Sequence, residues 1–151
     1  MTNTVLIRGD TGRISLEILG YENPMAKDIS DLNWLRVKLD VVAGPFQGSV
    51  RVAVTTYELA DFQQRLTGAV ESVAGGVKFE TLEGDLRVNI EFARTGVAGV
   101  QADVFAYDGG TRSSIHCEFE TDPITLEATV QDLRRLAEQF PIQHSLRTPL
   151  E

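Results

Sequence analysis

The chain has 151 residues, with 14 basic and 22 acidic side chains and a formal net charge of −8. This length is enough for one domain with its own hydrophobic core, and we expect residues 1–151 to form that single domain. The negative charge disfavours binding to nucleic acid or to an anionic membrane surface, because phosphate groups repel such a protein, and it favours a basic protein partner.

Strands are predicted wherever apolar and polar residues alternate, because such a strand has one buried face and one solvated face. Turn-forming residues separate the alternating segments, a pattern typical of antiparallel hairpins. In chain order the alternating segments are residues 14–18, 35–41, 50–54, 86–92, 100–106 and 115–119. The turns are expected at residues 9–12, 44–45, 83–85 and 108–110.

Two segments have helical spacing instead. The first begins with a capping box at Thr55 and Glu58, and its apolar side chains recur every three or four residues up to Val70. The second begins near Thr125 and stops at Pro141. The sequence therefore predicts an α+β fold, in which one large twisted antiparallel sheet of about eight strands carries two helices in the order ββββα-ββββα.

The remaining segments are a loop and the two ends of the chain. Residues 21–32 are expected to form a long loop, and residues 142–151 a flexible tail in which residues 150–151 resemble a tag remnant. The chain starts without the cationic and apolar segments of a signal peptide, and no apolar stretch approaches the roughly 20 residues of a membrane span. These features predict a cytoplasmic protein.

Chemically reactive residues are few. His116 and Cys117 are adjacent, so in a strand they point to opposite faces and cannot bind one metal ion together. We expect Cys117 in the core, and His116 and His144 in solvent. The sequence has no nucleophile motif and no phosphate-binding glycine loop. We therefore predict no metal site, no cofactor and no catalytic residues.

The candidate functional residues are acidic or aromatic and lie in loops and at a strand start. The carboxylates have two interpretations: solvated loop charge, or an acidic patch that meets a basic partner. Trp34 also has two interpretations. Its side chain either closes the edge of the core, which we favour, or anchors an interface. The candidate partner-binding residues are Glu22, Asp28, Asp31, Trp34, Glu83 and Asp85.

Short motifs in a fixed order carry a family resemblance. Residues 16–24 (LEILGYENP) precede residues 31–35 (DLNWL), and a helix closing on Phe140-Pro141 follows much later. From about Val5 to Pro141 the chain resembles the WapI family of bacterial immunity proteins. One departure is Gly84-Asp85, where family members often have proline and asparagine in the middle turn.

This resemblance implies a non-enzymatic inhibitor that binds and neutralises the toxin domain of a polymorphic toxin by occlusion. An acidic face would then cover the basic surface of a nuclease-like toxin. Two alternatives stay open: a ligand-binding or accessory domain without a toxin partner, and a hydrolase that uses Asp28, Asp31, Glu83 and Asp85. An unpaired sheet edge also allows a homodimer.

Overall fold

The structure, a computed structural model, describes residues 3–146. Within this range eight strands and three helices follow one another, and the predicted order of four strands, a helix, four strands and a helix is confirmed. The elements are β1 (Thr4–Arg8), β2 (Gly12–Tyr21), α1 (Ile29–Leu32), β3 (Trp34–Ala43), β4 (Phe46–Thr55), α2 (Thr56–Ser72), β5 (Gly76–Glu80), β6 (Leu86–Phe92), β7 (Ala98–Asp108), β8 (Thr111–Thr121) and α3 (Pro123–Gln139).

The strands form two antiparallel sheets of four, so the prediction of one eight-stranded sheet is wrong. The first sheet has the order β1-β2-β3-β4 and the second the order β5-β6-β7-β8. All pairings join strands that are consecutive in the chain. An alternating pattern shows that a strand has one buried face, but it does not show whether strands on either side of a helix are neighbours. Here α2 separates β4 from β5, and the two strands do not pair.

The predicted turns lie at hairpin ends. The β7–β8 turn illustrates the chemistry, because Gly109 and Gly110 have φ angles of 56° and 87°, which side chains with a Cβ rarely adopt. The segment predicted as a long loop, residues 21–32, contains the one-turn helix α1, which Asp28 caps by accepting a hydrogen bond from the Ser30 backbone N–H. That stretch is therefore more regular than we expected.

Both long helices begin at side-chain caps. The predicted capping box of α2 is confirmed: Thr55 Oγ1 accepts from the Glu58 N–H, and Glu58 Oε1 accepts from the Thr55 N–H. The other helix, α3, starts two residues before the predicted position, because Asp122 caps it and Pro123 occupies its first turn.

One hydrophobic core joins the inner faces of both sheets to α2 and α3. The sheets meet where the β1–β2 turn reaches β8. A Cβ atom on Gly9 would clash with the Phe119 ring and the Glu120 carbonyl oxygen, so glycine is required at this junction. Cys117 is buried and His116 exposed, as predicted.

The described chain ends against the first sheet. Tyr21 Oη donates a hydrogen bond to the Pro141 carbonyl oxygen at 2.7 Å, and the Tyr21 and Phe140 rings pack edge to face. Gln143, in the segment predicted as a flexible tail, is hydrogen-bonded to Asn33. Residues 147–151, including the suspected tag remnant at 150–151, lie outside the described residues.

Candidate functional site

Four carboxylates from three segments of the chain come together at one end of the molecule, which we call the acidic end. Glu22 follows β2, Glu58 lies in the first turn of α2, and Glu83 and Asp85 belong to the β5–β6 turn. Burial raises the pKa of the Glu83 carboxyl, and the negative charges of Asp85, Glu22 and Glu58 raise it further. Asp85, Glu22 and Glu58 are thus close enough to Glu83 for their charges to act on it.

Backbone hydrogen bonds hold these segments in place. The Glu22 N–H donates to the Trp34 carbonyl oxygen at 2.9 Å, which continues the β2–β3 pairing past the end of β2. Glu58 uses its second carboxylate oxygen, Oε2, to accept from the Leu82 N–H at 2.9 Å. One side chain therefore caps α2 and ties the β5–β6 turn to it.

Asp85 fixes the other side of the β5–β6 turn. Its carbonyl oxygen accepts a hydrogen bond from the Phe105 N–H at 2.9 Å, so the turn is joined to β7. Burial raises the pKa of the Asp85 carboxyl. Within the turn, the Thr81 N–H donates to the Leu86 carbonyl oxygen, and Thr81 Oγ1 accepts from the Leu86 N–H. These bonds fix the backbone of the turn that carries Glu83 and Asp85.

Exposed apolar side chains lie beside the acidic end. Leu82 is 72% exposed, Tyr57 46% and Ile29 40%. Leu82 and Tyr57 are adjacent to members of the acidic end in sequence, and Asn33 Nδ2 donates to both Tyr57 Oη and the Ile29 carbonyl oxygen. Exposed apolar and aromatic groups rimmed by charge are typical of protein-binding surfaces.

Asn33, from the DLNWL motif, is a fully buried polar residue beneath this surface. Its Oδ1 atom accepts from Thr56 Oγ1 at 2.6 Å and from the Gln143 N–H at 2.8 Å. Its Nδ2 atom donates to the Gln143 carbonyl oxygen at 3.0 Å. The amide thus joins α1, the start of α2 and the C-terminal segment, which gives this motif residue a structural role.

The structure brings together three of the six predicted site residues, Glu22, Glu83 and Asp85. Trp34 lies next to them through its backbone, at the start of β3, and its side chain is half-buried. The other two, Asp28 and Asp31, are exposed at α1 and are not among the charges that raise the pKa of Glu83.

Sequence reasoning missed Glu58 as a member of the acidic end. In the sequence, the capping box already gave the Glu58 carboxylate a structural role. Only the tertiary structure shows that its second oxygen accepts a hydrogen bond from the Leu82 N–H. No signal in the sequence pointed to this contact, because the two residues lie 24 positions apart.

The outer face of the second sheet, opposite the core, also carries many carboxylates. Cross-strand pairing arranges its residues in three rows that cross all four strands, and β7 and β8 continue the face with the pairs Phe105–Ser114 and Tyr107–Arg112. These rows are Glu80–Arg87–Asp103–His116, Lys78–Asn89–Gln101–Glu118 and Gly76–Glu91–Gly99–Glu120. Sequence reasoning missed this surface, although the turn at residues 109–110 sets the register that places Asp103 opposite His116.

His116 lies between two carboxylates on this face. Its Nδ1 atom is 2.7 Å from Asp103 Oδ1, and its Nε2 atom is 3.3 Å from Glu118 Oε1. Hydrogen bonds to Asp103 and Glu118 raise the pKa of the imidazole, because both carboxylates stabilise its protonated form.

A shallow hollow of about 670 Å³ occupies the far end of the same face, where the β1–β2 turn meets β8. Asp10 forms part of its wall: the Asp10 N–H donates to the Glu120 carbonyl oxygen, and Asp10 Oδ1 accepts from the Glu120 N–H. These contacts lower the pKa of the Asp10 carboxyl. The charged residues of the lining are all acidic: Asp10, Glu91, Glu118 and Glu120.

The outer face of the first sheet has the opposite character. Its central cross-strand row joins Glu17, Lys38 and Arg51. Arg13 and Arg36 extend the basic surface along β2 and β3. The two open sheet faces therefore differ in charge.

Within residues 3–146, no group of three or more His, Cys, Asp or Glu side chains is arranged to hold a metal ion. None of the helices in this part of the chain is long and apolar enough to cross a bilayer.

The fold and the site define a small α+β protein with two antiparallel sheets, of which the second has the acidic outer face. Residues 5–141 match the model of the Immunity protein WapI-like family. The chain belongs to this family, and the resemblance inferred from its motifs is confirmed. No curated protein matches the chain. Family membership supports an immunity-type function.

Proposed function

We propose that this protein binds a cognate toxin domain and neutralises it by covering its active surface. Membership of the immunity family over residues 5–141 carries the proposal. The protein acts as a stoichiometric inhibitor in the cytoplasm of the producing cell, and no catalytic step is required.

The acidic end is the surface we assign to the toxin. Besides burial, repulsion from Asp85, Glu22 and Glu58 raises the pKa of Glu83 in the free protein. A basic toxin surface relieves this repulsion and is attracted over long range, which accelerates association. A nuclease fits best, because its own substrate is an anion and its active surface is therefore basic.

The neighbouring apolar side chains supply the part of the interface that excludes water. Leu82 and Tyr57 are exposed and adjoin Glu83 and Glu58 in the chain, and Ile29 is exposed on α1. In protein interfaces an apolar and aromatic centre contributes most of the affinity, whereas charged residues at the rim govern rate and specificity. We assign the half-buried Trp34, at the start of β3, to the same centre.

Co-expression tests the function directly. The toxin domain encoded beside this gene is expressed with and without the protein, and growth and complex formation are measured. We expect rescue and a 1:1 complex. If the wild-type protein neither rescues growth nor binds the toxin, the proposal is wrong.

Charge variants then test the surface. The triple variant Glu22→Gln, Glu83→Gln, Asp85→Asn is expected to weaken binding at least about tenfold, mainly through slower association at low salt. The control variant removes the same number of negative charges from exposed helix positions, through Glu71→Gln, Glu127→Gln and Glu138→Gln. An equal loss of affinity in the two variants would show that net charge alone governs binding. It would exclude the acidic end as the specific contact surface.

One observation favours a second candidate function, a ligand-binding or accessory domain without a toxin partner. A groove of about 400 Å³ lies between α2 and α3 and is lined largely by apolar residues, among them Leu59, Leu136 and Phe140. A bound metabolite would raise the melting temperature by mass action. A thermal-shift screen against metabolites therefore tests this second function, with Leu59→Ala as the control variant.

A further inference from the structure

The outer face of the second sheet is open to solvent over its whole width in the described structure. On β6, Val88 and Ile90 are buried, whereas Arg87 and Glu91, which flank them, are exposed. The helices and the first sheet pack on the buried side. An open face that carries side chains from four strands offers a broad, rigid surface to a partner.

The charge on this face is unbalanced where the hollow lies. Arg87 pairs with Glu80 at 3.2 Å, at the other end of the face. Glu91 and Glu120 have no ion pair with a lysine or arginine in the described part of the chain. A partner that buries these carboxylates must supply positive charge, since an unpaired buried carboxylate is costly.

The shape of the hollow comes from Gly99. This residue lies between Glu91 and Glu120 in the cross-strand row, and it has no side chain to fill the space above the sheet. A Cβ atom added to Gly99 would touch only the Glu91 carbonyl oxygen, at 3.9 Å. The site can therefore accept a side chain, whether from a partner or from a substitution. Side-chain oxygens of Asn89 and Gln101, on the next row, offer further acceptors.

We propose that this face is a docking surface for a cationic segment of the toxin, with an arginine side chain of the toxin seated in the hollow over Gly99. The inference rests on the proposed function and assigns part of its interface. A guanidinium has five N–H donors and binds carboxylates through paired hydrogen bonds, which matches a lining of carboxylates and primary amides.

One toxin can contact this face and the acidic end together. Glu83 and Asp85 form the turn between β5 and β6, so the acidic end adjoins the opposite end of the same sheet. A seven-residue strand spans roughly 20 Å, and a typical interface of about 800 Å² on each partner covers such a length. The acidic end and the hollow thus fit within one footprint.

Two variants test the docking surface by independent means. Gly99→Leu fills the hollow without changing any charge, and Glu91→Gln with Glu120→Gln removes charge without filling it. Each is expected to weaken toxin binding at least about tenfold in calorimetry or biolayer interferometry. A melting temperature close to that of the wild type verifies that each variant is folded.

Matched controls lie on the outer face of the first sheet. Ser49→Leu adds the same apolar side chain to an exposed strand position, and Glu17→Gln with Asp40→Asn removes the same charge. Both controls are expected to bind within about twofold of the wild type, since their face lies outside the proposed interface.

The outcomes separate this inference from the proposed function. If the wild type binds the toxin and Gly99→Leu and the double glutamine variant bind equally well, the docking surface is wrong and the immunity function stands. If the wild type forms no toxin complex, both are wrong. If the protein forms a dimer that Gly99→Leu abolishes, the face joins two copies of this chain and the proposed occupant is wrong.

Discussion

Asn33 and Gln143 are joined by two reciprocal hydrogen bonds across 110 residues of sequence. The Gln143 N–H donates to Asn33 Oδ1 at 2.8 Å, and Asn33 Nδ2 donates to the Gln143 carbonyl oxygen at 3.0 Å. This is the pairing that two backbone segments make in a sheet, with a side-chain amide in the place of one backbone. The buried amide therefore fixes the C-terminal segment against the start of α2.

Asn33→Ala is expected to destabilise the protein by about 2–4 kcal/mol, because it leaves the Thr56 hydroxyl and the Gln143 backbone groups without their buried partner. Urea unfolding followed by circular dichroism measures the change. Asn89→Ala, on the outer face of the second sheet, serves as control and should cost about 0.5 kcal/mol or less. Equal losses for the two variants would contradict the role assigned to Asn33.

Thr55→Ala removes the hydroxyl that caps α2 and should lower the free energy of unfolding by about 1 kcal/mol. Thr55→Ser keeps the oxygen that accepts from the Glu58 N–H and is expected to retain most of that stability. Thermal or urea unfolding distinguishes the two substitutions. A serine variant as unstable as the alanine variant would assign the effect to the lost methyl group and not to the cap.

Glu83→Gln is expected to stabilise the free protein slightly at neutral pH while it weakens toxin binding. Folding raises the pKa of this carboxyl above its ordinary value of 4.5, so its ionised form destabilises the fold. The cost is absent below pH 4.5, grows as the pH rises through the folded pKa, and is complete above it. Because Glu83 is exposed, we expect about 0.5 kcal/mol or less.

Unfolding measured from pH 3.5 to pH 8 for Glu83→Gln and the wild type checks this sign. Glu138→Gln, which removes one exposed carboxylate from α3, is the control and is measured at the same pH values. A wild-type protein that is more stable than Glu83→Gln at pH 7 would mean that Glu83 makes a favourable contact and is not held among repelling charges.

His116→Asn is expected to lower the free energy of unfolding at acidic pH and to leave it unchanged at alkaline pH. Asp103 and Glu118 raise the folded pKa of the imidazole above its ordinary value of 6.5. The stabilisation is therefore fully present below pH 6.5 and disappears as the pH rises through the folded pKa. The pair is half exposed, so solvent screening limits the effect to about 0.5 kcal/mol.

A titration of the His116 ring by NMR measures the folded pKa of the imidazole directly, without unfolding the protein. The imidazole should titrate above pH 6.5 in the wild type, and Asp103→Asn should return its midpoint toward that value. A midpoint that does not move in Asp103→Asn would exclude the 2.7 Å contact as the cause.

The sequence by itself determined the elements of this protein. Alternation in residues such as Leu86, Val88 and Ile90 predicts a half-buried strand, and the capping box at Thr55 predicts where α2 begins, because both signals arise between residues close in the chain. The family motifs were also legible in the sequence, and the family they indicate is confirmed.

Only the tertiary structure decided how those elements combine. Two sheets formed where one was predicted, because pairing across α2 depends on where the helix packs and not on alternation. The acidic end depends on the hydrogen bond from the Leu82 N–H to Glu58. The hollow over Gly99 depends on the contact between the β1–β2 turn and β8. Such contacts between distant segments leave no local pattern, since packing of the whole chain sets them.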